Sequence, residues 1–130
     1  MKDWIATIVA ENMLGNAIGT SSESILNIEK NLGVRFSKEY KEFLSSVGVC
    51  MFNGHEIVGI SQYSGLDVLS TTNEARELNP DVPANFYVIE NAHFDGIYIW
   101  QDETGAVYQT YPNCQPKKIA DSLYEYLVKN

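Results

Sequence analysis

Residues 25–60, ILNIEKNLGVRFSKEYKEFLSSVGVCMFNGHEIVGI, read as two capped helices followed by a tight hairpin. Ile25, Leu26, Ile28 and Leu32 recur at helical spacing, and Gly33 stands where a helix ends on a left-handed residue. Thr20 followed by Glu23 is a capping-box pattern ahead of that helix. Val34-Arg35-Phe36 is short and extended, and Ser37 is placed to cap the next helix. In that helix Tyr40, Phe43, Leu44 and Val47 fall at i, i+3, i+4 and i+7, one buried face; Lys38, Glu39, Lys41 and Glu42 take the other side, and Gly48 ends it. Asn53-Gly54 suits a two-residue type I′ turn, which pairs CMF with HEIVGI.

Working outward, Asp3 is placed to cap a helix over 4–14 with Trp4, Ile5, Ile8 and Val9 on one face and Gly15 as its stop. Downstream, residues 66–69 read as a short strand, and Thr71 with Glu74 repeats the capping-box pattern for a helix that Asn79-Pro80 stops near Leu78. Strands are predicted over 86–90, 96–101 and 106–110. In the middle one Ile97 and Ile99 face one way, Tyr98 and Trp100 the other. Asp102-Glu103-Thr104-Gly105 closes the hairpin between the last two. Ala120, Leu123, Tyr124 and Leu127 form the inner stripe of a terminal helix. Helices, strands, one helix, strands and a helix on short connections predict an α+β fold: a single domain over 1–130, an antiparallel-rich sheet with helices packed against it, and not a doubly wound parallel sheet.

A chain of 130 residues buries roughly two-thirds of its unfolded surface, enough for a core without metal or disulfide staples. A hydrophobic fraction of 45% is that of a globular protein and excludes a disordered one. No apolar run reaches the roughly 20 residues that cross a bilayer. The N-terminal MKDWIATIVAENML carries Asp3 and Glu11 around a short apolar stretch with no small-residue cleavage site, so no signal peptide and a cytoplasmic location are expected. Cys50 and Cys114 form no CxxC pair and are expected as free thiols.

The net charge of −8 is unevenly spread. Acids and bases balance up to Lys41, whereas residues 42–116 hold ten acids and one base, Arg76. Such a block repels phosphate and anionic lipid and draws a basic partner over about 8–10 Å. Direct nucleic-acid or membrane binding is therefore disfavoured by sign. The alternative is that the acids serve solubility alone.

Catalytic patterns are missing. Gly54 and Gly59 do not sit at a strand-to-helix turn as a phosphate loop requires, and there is no GxSxG elbow. Cys50 or Cys114 with His55 or His93 would need to meet in space, and nothing in the sequence indicates that they do. His55-Glu56 and His93-Phe94-Asp95 lack the three- or four-ligand spacing of a zinc site, so no metal and no cofactor are expected. The acidic block also holds Tyr63, Phe86, Tyr87, Phe94, Tyr98, Trp100, Tyr108 and Tyr111, more aromatics than strand alternation can bury on one face. Either helices cover both faces, or part of the set forms a protein-binding surface with aromatic anchors and steering charge.

The segment IEKNLGVRFSKEYKEFLSSVGVCMFNGHEIVGI resembles the signature region of the SUKH superfamily, which includes bacterial immunity proteins and a fungal cell-wall-assembly regulator. The matching positions are Glu29, Leu32, Gly33, Phe36, Tyr40, Lys41, Phe43, Leu44, Gly54, Glu56, Ile57 and Gly59. FYVIENAHFDGIYIW, ETGAVY and IADSLYEYL are similar to the family's later strands, turn and terminal helix, so the resemblance covers roughly residues 20–128. Ser37 stands where the family usually has Pro, and Cys50-Met51-Phe52 where many members have more glycine. The resemblance implies a non-enzymatic binding domain that neutralises a cognate toxin, often a nuclease or another nucleic-acid-modifying enzyme, by blocking substrate access. The alternative it allows is a scaffold or regulatory module with some other protein partner. On the toxin reading, Glu56, Asp95, Asp102 and Glu103 are expected to steer and pair with a basic surface while Tyr98 and Trp100 anchor. These six are chosen for charge, aromaticity and hairpin position.

Overall fold

The computed structural model describes residues 3–11 and 19–129. Five helices, α1 (Asp3–Glu11), α2 (Ser22–Leu32), α3 (Lys38–Ser46), α4 (Val68–Leu78) and α5 (Leu123–Lys129), surround a hairpin of β1 (Cys50–Phe52) and β2 (His55–Ile57) and a four-stranded sheet of β3 (Tyr87–Asn91), β4 (Tyr98–Gln101), β5 (Val107–Thr110) and β6 (Lys117–Ala120). Both sheets are antiparallel throughout, and the larger runs in the order β3-β4-β5-β6, so the α+β expectation holds.

The local chemistry follows the sequence closely in residues 25–60. Gly33 closes α2 in the left-handed region (φ 70°), its N–H donating to the carbonyls of Glu29 and Lys30. Ser37 caps α3, its Oγ accepting from Tyr40 N at 2.9 Å. Asn53 (φ 51°) and Gly54 (φ 81°) both take the positive φ of a type I′ turn. The cap of α2 is Ser21 rather than Thr20, its hydroxyl accepting from Ser24 N at 3.2 Å.

Further expectations change. Residues 66–69 are not a strand: a single 3₁₀ turn (Ser64–Leu66) runs into α4. Asp67 caps that helix, its Oδ2 accepting from Ser70 N and Oγ at 3.1 Å each, and so pre-empts the pattern at Thr71 and Glu74. Ala120 lies in β6, an unexpected edge strand, and the inner face of α5 is Leu123, Tyr126 and Leu127, with Tyr124 turned outward. At the other end Asp3 is the first residue of α1 rather than a residue before it, and Ile5 and Ile8 are buried; the expected continuation to Leu14 and the stop at Gly15 fall outside the described residues.

At β3 and β4 the larger sheet is buried on both faces. One carries Tyr87, Ile89, Ile97, Ile99 and Val107 against Tyr40, Phe43 and Leu44 of α3, Leu32 of α2 and the inner face of α5. The other carries Val88, Tyr98 and Trp100 against Ala75 of α4 and Phe86. A bulge between Val88 and Glu90 leaves Ile89 unpaired with β4, and its carbonyl accepts from Val58 N at 2.9 Å, which fastens the small hairpin to the edge of the sheet.

Just beyond that link, Gly59 makes a lone parallel bridge with Asp67 and passes so close to α3 that a Cβ there would lie 1.9 Å from the Gly48 carbonyl oxygen. Gly59→Ala is therefore expected to cost about 2 kcal/mol, because backbone must move to admit the methyl. A urea midpoint equal to that of the parent protein would show that no such close approach exists.

Candidate partner-binding surface

The six residues expected to form one surface are divided by the fold. The β3–β4 turn is held by Ala92 N donating to Ile97 O and Ile97 N to Phe94 O, both at 3.1 Å. His93 (φ 63°), Asp95 (φ 53°) and Gly96 (φ 67°) all adopt left-handed conformations there. This tight path pushes Phe94 outward, 61% exposed, beside the exposed Asp95. Glu56 on β2 reaches the same turn, its carboxylate 3.8 Å from His93 Nε2. Glu56 and Asp95 therefore share one end of the molecule.

Tyr98 and Trp100 are not surface anchors, and that expectation is corrected. Trp100 is fully buried and its indole N–H donates to Thr110 Oγ1 at 2.8 Å. Tyr98 is buried, and its hydroxyl donates to Glu74 Oε1 at 3.1 Å; burial and the neighbouring Glu74 push that hydroxyl up to about 12. The physical reason is the second cover: α4 and the segment leading to β3 roof the face that sequence alternation alone leaves open.

Asp102 and Glu103 lie in the β4–β5 turn, at the opposite end of β4 and so roughly 13 Å or more from the Phe94 turn. Asp102 is nearly buried and is taken up by the turn itself. Its Oδ1 accepts from Thr104 N at 3.0 Å and Thr104 Oγ1 at 2.5 Å, and its Oδ2 from Tyr108 OH at 3.1 Å. Glu103 is exposed, with Arg35 3.9 Å away. Of the six, Glu56 and Asp95 lie at one end, Glu103 lies at the other, and three are occupied inside the protein.

Other carboxylates that the sequence did not single out hold the fold. Glu39 of α3 accepts from Leu123 N at 2.7 Å, Tyr124 N at 2.9 Å and Gln101 Nε2 at 3.1 Å, so it caps α5 from across the molecule. Glu29 accepts from Phe36 N at 2.8 Å, fixing the link between α2 and α3. Glu90 receives His55 Nδ1 at 3.0 Å, Glu56 N at 3.0 Å and the Tyr126 hydroxyl, tying β2, β3 and α5 together. No short-range sequence pattern marks these roles, since most partners are more than 30 residues away.

Of the groups named above for nucleophilic chemistry, Cys50 and His55 are taken up inside the fold. The Cys50 thiol is buried and pushed up to about 12 by that burial, the reverse of an activated cysteine, while Cys114 is exposed. Tyr126 is likewise held above its ordinary value by burial and by Glu90. His55 engages Glu90, whereas the more exposed His93 faces Glu56. Among the described residues no three of His, Cys, Asp and Glu converge as a metal site, and no helix is long and apolar enough to cross a membrane.

A family model described as SMI1-KNR4 cell-wall, SUKH_5, matches residues 1–130. The match extends beyond the 20–128 covered by the sequence resemblance. A Bacillus subtilis (strain 168) protein named "Uncharacterized protein YnaB" is 40% identical over 83 residues, 61% of this chain and 48% of that protein, so the match spans about half the length of that relative. Among solved structures, a protein from Pseudomonas syringae pv. tomato superposes with a TM-score of 0.78 at 18% identity, covering 97% of this chain and 94% of the other. At that identity the likeness concerns the fold alone.

Proposed function

This chain belongs to the SUKH (SMI1-KNR4) family, and we propose that it acts there as a non-catalytic immunity protein, binding a cognate toxin with a basic, phosphate-handling surface and blocking its access to substrate. The observation that carries the reading is the family match over the whole chain, joined to a net charge of −8 concentrated in residues 42–116. An enzyme that acts on nucleic acid presents positive potential at its active site, and an acidic domain complements it. Tyr126, His55 and Glu90 are engaged in holding elements together and the Cys50 thiol is buried in the core, which supports binding rather than chemistry.

Co-expression with candidate toxin genes from the same locus tests this. The expected result is restored growth with one of them and a stable complex on purification. Growth equally poor with and without this chain, for every toxin of the locus, would sink the reading. In the complex, the association rate is expected to fall by at least about tenfold between low and physiological ionic strength, because carboxylate steering is screened over a Debye length. A salt-independent rate would assign the acidic block to solubility.

A further inference from the structure

Beside Glu103 a groove of ≈ 420 Å³ opens between α1, the start of α3, the β4–β5 turn and the start of α5. Its walls include the half-buried indole of Trp4, and its rim carries Glu42, Glu103 and Asp121. The Trp4 ring lies 6.3 Å from that of Tyr124, which is 46% exposed, so an aromatic pair stands at the groove's edge.

The charges in and around the groove differ in how far they are committed. Glu39 is spent on the α5 N–H groups and Gln101. Asp121 pairs with Lys118 at 2.7 Å. Among the described residues, Glu103 has only a loose, exposed contact with Arg35 at 3.9 Å. Glu42, half-buried, makes no ion pair or hydrogen bond among the described residues. Lys38 is the single cation among the described lining residues. The positive ends of α3 and α5 do not offset this, because Ser37, Glu39 and Ser122 accept from their first N–H groups.

From this arrangement we infer that the groove seats an arginine side chain of the basic partner, the guanidinium lying against Trp4 and forking between Glu42 and Glu103. The inference rests on the binding reading above and locates its contact. A planar guanidinium suits the site better than an ammonium, since it stacks on an aromatic face and offers paired donors to carboxylates. The Phe94 turn is the other exposed acidic end, but it is convex and offers an aromatic tip rather than a recess.

The test uses the full chain, ¹⁵N-labelled, titrated with a blocked Gly-Arg-Gly-Arg-Gly peptide and with its citrulline counterpart, which keeps the shape and lacks the charge. The arginine peptide is expected to give saturable shifts at the Trp4 indole N–H and the amides of Thr104, Gly105 and Ser122. The Trp100 indole, buried and bonded to Thr110, is expected to stay still and serves as an internal control. Glu42→Gln combined with Glu103→Gln, both away from the buried network, is expected to weaken the peptide by roughly tenfold. Shifts centred on residues 93–96, equal shifts with citrulline, or no saturation would overturn the assignment. Co-expression separates the two claims. If the parent chain protects against its toxin and a second variant, Glu42→Lys with Glu103→Lys, protects equally, the groove is wrong and the binding reading stands. If the peptide binds as expected and no toxin of the locus is neutralised, the groove stands and the immunity reading falls.

Discussion

Replacing Trp100 with alanine is expected to destabilise the protein by about 3–5 kcal/mol, the range for deleting a large buried aromatic. The indole is fully buried in the smaller core with Phe86, Val88, Tyr98 and Ala75, and its loss also strands the Thr110 hydroxyl that now receives the indole N–H. Against a typical total of about 5–15 kcal/mol, that loss leaves little margin at growth temperature. Urea unfolding followed by circular dichroism measures it directly. A loss below about 1 kcal/mol would mean that the ring sits near the surface after all and that the anchor role deserves restoring. Phe94→Ala, at the 61%-exposed turn, is the contrast: its stability change is expected to stay within about 0.5 kcal/mol. The pair distinguishes an aromatic that builds the domain from one that is available to a partner.

The second large effect is expected at Glu90. Glu90→Ala removes the acceptor shared by the Tyr126 hydroxyl, His55 Nδ1 and the Glu56 N–H, and leaves three donors from three different elements inside a mostly buried site. Each buried donor left without its acceptor costs about 1–3 kcal/mol, so a total loss of about 3 kcal/mol or more is expected. Local loosening should accompany it: amides of β2 and α5 should exchange with solvent faster than those of β4. Glu103→Ala removes a carboxylate whose one ion pair among the described residues is exposed, and is expected to change stability by less than about 1 kcal/mol. Similar losses in the two variants would contradict the view that Glu90 is structural and Glu103 is free.

The legible parts of the fold were those set by neighbours in the chain. Gly33, Ser37 and the Asn53-Gly54 turn act over three or four residues, so their chemistry is written where it operates. The alternation of Ile97 and Ile99 against Tyr98 and Trp100 was equally plain, and both faces were assigned correctly. What alternation cannot say is whether a second layer covers the far face, and that is why the aromatic pair was expected outside. Edge strand β6 was missed because Lys117 and Lys118 give it a polar, charged reading; lysines of this kind protect a sheet edge from pairing with another chain. The α4 start was misplaced because two capping signals compete within five residues and tertiary placement favours Asp67, which also receives Ser61 N. For the site, charge and hairpin position singled out Glu56, Asp95 and Glu103, none of which the fold buries, but the recess beside Trp4 joins segments from α1 to the start of α5, and only the folded chain brings them together.

Glu39 reaching across to α5 has a consequence for synthesis. A seven-residue helix is far below the length that is stable alone in water, so α5 forms only where the core and the Glu39 carboxylate are waiting for it. Leu123, Tyr126 and Leu127 in turn fill the core that α3 and β1–β2 need to close. During synthesis the elements made early are therefore completed only by residues more than 80 positions further on, contacts of high sequence separation that cost chain entropy to close.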